Sequence, residues 1–194
     1  RGNPERHALL GSAYKRKARL LLERGQAWST IRRTLRQAAD AYRAVEGDPD
    51  RKDFNPYLML NRLHLDIATG EAADPALIVN QARRCREAAL GRFRRSYGFW
   101  DAVTAVDAGL TAALADGSIH DSHTRTVLVD GYREAVANVR QSHRQLASVA
   151  THLRLLAGFL DYGGNAGEAA ALRAIGGQLF SGDTGDMPTA DTDG

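Results

Sequence analysis

The sequence predicts an all-α fold and, within that class, a right-handed α-solenoid of about four antiparallel helical hairpins. Three observations lead there. The 194 residues are 43% hydrophobic and 25% charged with only 5 prolines, and they are rich in Ala, Leu and Arg, a balance that suits helices and fills one core. Asx-Pro pairs and glycines punctuate the chain at helix-length intervals. One short pattern also recurs three times: Ala38, Tyr42, Val45; Ala89, Phe93, Ser96; Leu128, Tyr132, Ala135. Spacings of four and three place each set on one helix face, with the ring between two smaller residues. A helix face that repeats is the mark of stacked hairpins.

Helix starts fall at Asn3-Pro4, Asn55-Pro56 and Asp74-Pro75. There the Asx oxygen caps the first turn and proline removes an N–H that would have no partner. Stops fall at Gly25, Gly47, Gly70, Gly117 and Gly163-Gly164, residues that adopt the left-handed conformation ending a helix. Ser142 with Gln145 reads as a capping box and divides a long apolar pattern in two. Eight helices follow, over about 4–24, 28–46, 55–69, 75–97, 99–116, 122–140, 143–162 and 166–180. Their apolar stripes are regular: Ile31, Leu35, Ala38, Tyr42 on the second; Ile78, Ala82, Cys85, Ala89, Phe93 on the fourth; Phe99, Val103, Val106, Leu110 on the fifth; Leu146, Val149, Leu153, Leu156, Leu160 on the seventh. Pairing neighbours gives hairpins that begin near residues 3, 55, 98 and 142. The domain therefore spans 1–180, and the stretch 181–194 reads as a disordered acidic tail with almost nothing to bury.

The first hairpin resembles a tetratricopeptide repeat. Leu10, Gly11 and Tyr14 match the LGxxY part of that motif's first helix, and Ala38 with Tyr42 matches the AxxxF/Y part of its second. About 15 more residues lie between them than the 34-residue repeat allows, so both helices are longer than in the family. The phrase LGSAYKRKA is also similar to long-helix repeat regions of bacterial proteins that carry CHAT proteases or other defence effectors, and to the TRAF-binding region of MAP kinase kinase kinases. The resemblance implies a scaffold or regulatory module in a bacterial cytoplasmic protein, binding a protein or peptide in a concave groove lined by first helices. Mapped from the motif, the groove positions are Ser12, Lys15 and Arg16, with Arg62 and Asp101 from the second and third hairpins. A floor carrying Lys15, Arg16 and Arg62 favours an acidic peptide or a free carboxylate; plain solvated polar faces are the competing reading.

No catalytic motif supports an enzyme. There is no Walker loop, GxGxxG or GxSxG, and acids are scattered along helix surfaces. Cys85 lies on an apolar stripe, where a thiol behaves as a small hydrophobe. His120 and His123 form an HxxH without a third ligand, and Asp121 or Ser122 reads more simply as a helix cap. His64, on an arc with Tyr57, Leu60 and Ile67, reads as a hydrogen-bonded core histidine. Lys17 falls within the apolar arc of the first helix, where its stem snorkels. No cofactor or metal is expected.

Nucleic-acid binding is the alternative, through Arg83, Arg84, Arg86, Arg92, Arg94 and Arg95 of the fourth helix. These fall on both flanks of the stripe instead of one strip, and no ring is free to stack, so arginine stems covering apolar surface are the favoured reading. The net charge of +3 becomes +7 without the four aspartates of the tail, which a solvated surface accounts for. A single cysteine, no signal peptide and no apolar run near 20 residues point to the cytoplasm and away from membranes. A start at Arg1 that enters a helix almost at once suggests a longer polypeptide with an enzymatic domain upstream.

Overall fold

The computed structural model describes residues 4–51, 53–72, 74–137 and 142–180. It contains eight α-helices and no strand among those residues: α1 (Pro4–Glu23), α2 (Trp28–Arg43), α3 (Pro56–Thr69), α4 (Pro75–Ser96), α5 (Phe99–Asp116), α6 (Ser122–Ala137), α7 (Ser142–Tyr162) and α8 (Ala166–Gln178), with a single 3-10 turn at Ser118–His120 before α6. None of these helices is long and apolar enough to cross a membrane. The Asn3 cap, the Ser142 side chain of the capping box and the tail 181–194 lie outside the described residues.

Local chemistry places the boundaries. Asn55 Oδ1 accepts from the Tyr57 N–H at 3.2 Å and Asp74 Oδ1 from the Ala76 N–H at 3.0 Å, each followed by proline in the first turn. Asp121 Oδ2 caps α6, accepting from the Thr124 N–H at 2.8 Å. Gly70 and Gly117 close α3 and α5 with φ of 68° and 80°, a region a side chain would strain. α4 instead ends on Tyr97 at φ 49°, whose ring stands edge-on to Phe93 at 5.8 Å.

The expected apolar stripes form the core. Ile31, Leu35, Ala38, Tyr42, Leu110, Tyr132, Leu153 and Leu172 are fully buried. Of the three recurring rings, Tyr42 and Tyr132 are sealed and Phe93 is half-buried. Gly11 lets α1 sit directly on Tyr42: a Cβ there would lie 2.7 Å from the ring. Such an approach is open only to glycine.

Pairing follows the length of the links. α1 packs on α2 and α7 on α8, but the most extensive pairing in the middle of the chain is α4 with α5, not α3 with α4. Only Tyr97 and Gly98 separate α4 from α5, so the two are forced side by side. α3 is left central, touching α2, α4, α5 and α7. α7 also reaches α1, joining elements that an open row of hairpins keeps apart.

Candidate functional site

The return of α7 to α3 creates a cleft walled by α3, α5 and α7. Its chamber has a volume of about 190 Å³ and is lined by Tyr57, Asn61 and His64 of α3, Trp100 and Asp107 of α5, and His152 of α7, with aliphatic and hydroxyl side chains between them. Tyr57 and Trp100 are 49% and 59% exposed, so two aromatic rings stand at its mouth. A second, much smaller pocket shares Asn61, His64 and His152 with the chamber and is lined on its other side by Lys15 of α1.

Each polar side chain is set by helical spacing. Asn61 and His64 are three apart on α3, and Asp107 and Thr111 four apart on α5, so each pair shares a face. Lys15 Nζ donates to Asn61 Oδ1 at 2.6 Å, and Asn61 Nδ2 donates to the Tyr57 carbonyl at 2.9 Å. The Thr111 hydroxyl lies 2.7 Å from the Asp107 carbonyl and 2.8 Å from His64 Nε2. Its one proton belongs to the carbonyl, which can only accept, so His64 Nε2 carries a hydrogen and donates to Thr111. His64 Nδ1 is then a bare acceptor, buried and without a hydrogen-bond partner. Asp107 Oδ1 accepts from the Tyr132 hydroxyl at 2.6 Å, and no described residue bonds its other oxygen.

Burial tunes the ionisation. The Lys15 ammonium is pushed down to about 8 by desolvation, with the charge of Asp107 opposing. Burial raises Asp107 to about 6 against the Tyr132 hydrogen bond and the charge of Lys15. His64 is lowered to about 3 by burial and then by Lys15. His152 falls well below the ordinary histidine value for the same reasons, with His64 adding to them. Both imidazoles are therefore neutral at pH 7, with ring centres 5.6 Å apart.

Of the five residues that sequence reasoning assigned to a groove, only Lys15 reaches this cleft. Ser12 instead meets the Tyr42 hydroxyl at 3.2 Å. Arg16 is exposed. Asp101 accepts from the Ser96 hydroxyl at 2.6 Å beside the start of α5. Arg62 is buried, donating to Glu46 at 2.8 Å and Asp66 at 2.7 Å. Its charge is spent internally, which removes one cation of the expected basic floor. The roles of the two α1 lysines are also exchanged: Lys17 is exposed, and Lys15 is the one drawn inward.

His64 is a core histidine as expected, but only one of its nitrogens is satisfied. Asn61, Asp107 and His152 were missed. Their signal is present in the sequence as polar pairs at helical spacing on otherwise apolar faces: Asn61 with His64, Asp107 with Thr111, Ser148 with His152. Elsewhere, Cys85 is fully buried with its thiol pushed up to about 12 by desolvation, unsuited to nucleophilic attack at neutral pH. His120 lies 3.5 Å from Glu168, and no cluster of three or more metal-ligating side chains occurs among the described residues. Along α4, Arg92 donates to the Phe54 carbonyl at 2.6 Å, Arg84 pairs with Asp50, and Arg83 with Glu87. No family model, curated protein or solved structure matches this chain, so the chemistry of the cleft is what carries a functional reading.

Proposed function

We propose that the chain is a protein-recognition module, built as a tetratricopeptide-like array of helical hairpins within a larger cytoplasmic protein, that seats a segment of a partner across the cleft between α3, α5 and α7. One observation carries this reading: two exposed rings, Tyr57 and Trp100, flank a preformed chamber. Exposed aromatics beside a concave site are the residues that anchor protein interfaces, because they bury large area at little entropic cost. The glycine-to-tyrosine contact between α1 and α2 is compatible with the repeat-like part of the reading. Arg62 no longer belongs to the binding surface; Tyr57 and Trp100 take its place.

A displayed peptide library selected against the whole chain tests the proposal. Enriched peptides are expected to bind the wild type and to lose at least ten-fold in affinity against a Tyr57→Ala, Trp100→Ala double variant. Selection that enriches nothing, or peptides indifferent to both changes, would overturn it.

A further inference from the structure

The chamber is unbalanced in charge: Asp107 lines it, and no lysine or arginine among the described residues does. The hydroxyls of Thr104, Thr111 and Ser148 are each spent on a carbonyl of their own helix. Asn61 gives one amide hydrogen to the Tyr57 carbonyl. Two acceptors are unused among the described residues, the bare Nδ1 of His64 and the second carboxylate oxygen of Asp107, a carboxylate with no ion pair there; the donors left beside them, the second amide hydrogen of Asn61 and the ring N–H of neutral His152, carry no charge. A buried acceptor without a donor, as at His64 Nδ1, is costly, and a donor-rich cation entering the chamber would satisfy it and pair with Asp107. The faces of Tyr57 and Trp100 at the mouth also favour a cation. The volume of about 190 Å³ is below the range for drug-sized ligands and suits a single side chain.

We propose that the cleft is a receptor for an alkylammonium group, accepted by His64 Nδ1 and Asp107 and flanked by Tyr57 and Trp100, and that in the bound partner this group is a lysine side chain. The proposal rests on the recognition reading above and names its anchor. Lys15 lines the neighbouring pocket, not the chamber. With its ammonium already lowered to about 8 and Asp107 raised to about 6, entry of a second cation is helped by ionising Asp107 and by releasing a proton from Lys15. His152 and His64 stay neutral throughout. Affinity therefore rises with pH from 5.5 to 8.5, a range in which an alkylammonium keeps its charge.

The test is NMR titration of the full chain with three probes of equal carbon number: n-butylammonium, 1-butanol and butyrate. Saturable shifts at the Trp100 indole and the His64 ring are expected with butylammonium, at least ten-fold weaker with 1-butanol, and at least ten-fold weaker with butylammonium against Asp107→Asn. The Trp100→Ala variant, changed only at an exposed ring, should weaken binding by a smaller factor. Equal binding of butanol, preference for butyrate, or an Asp107→Asn variant with unchanged affinity would overturn the ammonium assignment. A capped Gly-Lys-Gly peptide that binds more tightly than butylammonium supports lysine as the source; one that binds less tightly overturns that part and leaves a free amine. Library peptides that bind without lysine would sink this inference while the recognition reading stood. Butylammonium binding with no selectable peptide would sink the recognition reading and the lysine assignment while the ammonium site stood.

Discussion

Two polar clusters share α3, on opposite faces, and they differ in how completely they are satisfied. Arg62 and Asp66 face α2, where Arg62 donates to Glu46 and Asp66 while Arg43 reaches Asp66 at 3.1 Å and Asp40 at 2.7 Å. Every buried charge there has an opposite charge in hydrogen-bond contact. Asn61 and His64 face the cleft, where Lys15 meets a neutral amide and Asp107 a neutral phenol. The first cluster is closed and holds helices together; the second keeps unused acceptors, and its Lys15 has no carboxylate in hydrogen-bond contact among the described residues. Burying polar groups serves structure when the pairing is complete. Incomplete pairing beside a chamber marks a place built for something else.

The largest expected effect breaks the closed side. Arg62→Leu leaves the buried Glu46 without its cation and Asp66 with Arg43 alone, which should cost about 3–5 kcal/mol of stability by denaturant unfolding. A loss below about 1 kcal/mol would show that water screens this cluster and that the contrast is not one of burial. The second effect comes from acid and reads the cleft. His64, held at about 3 in the fold, and the likewise depressed His152 contribute stability that is full above the unfolded value of about 6.5 and is lost as pH falls below it. Asp107, raised to about 6, and the raised Glu46 act in the opposite sense, disfavouring the fold as pH climbs past the unfolded carboxylate range. Two imidazoles against these acids leave a net loss on the order of 2 kcal/mol between pH 7.5 and 5. A melting temperature that holds or rises on acidification would mean that the histidines are not buried neutral. The smallest effect sharpens the comparison: Asp107→Asn keeps an acceptor for Tyr132 and removes a poorly solvated charge, so stability at pH 7 should change by less than about 1 kcal/mol, or increase. Near-neutral stability here against a large loss at Arg62 is what separates a binding cluster from a structural one.

Much of the fold was legible because its signals are local. The Asx-Pro caps, the glycine stops and the apolar stripes all act within a turn or two, and all eight predicted helices begin within a residue of the positions found, α3 and α7 each differing by one. Pairing was less legible, since it depends on link length and on which faces meet: Gly98 forces α4 onto α5. The cleft was the least legible part. It is assembled by α7 folding back onto α3, and nothing in the spacing of His152 or Asp107 says that they meet. The mapped groove placed Arg62 on open surface because Glu46 and Asp66, its partners, come from a loop and the next turn of the same helix, outside the motif used for mapping.

At the turn after α7, Gly163 lies so close to the end of α3 that a Cβ would come within 2.8 Å of the Ala68 carbonyl and 3.2 Å of the Trp28 ring. The C-terminal hairpin is thus clasped to the N-terminal half across more than ninety residues of chain. In an array whose units touch only their neighbours, melting can begin at one end and spread stepwise. Here the clasp ties both ends into one cooperative transition, and it slows folding, because a long loop must close before the contact can form. Cutting the chain before α7 would remove a wall of the cleft and uncover the face of α3 that α7 packs against.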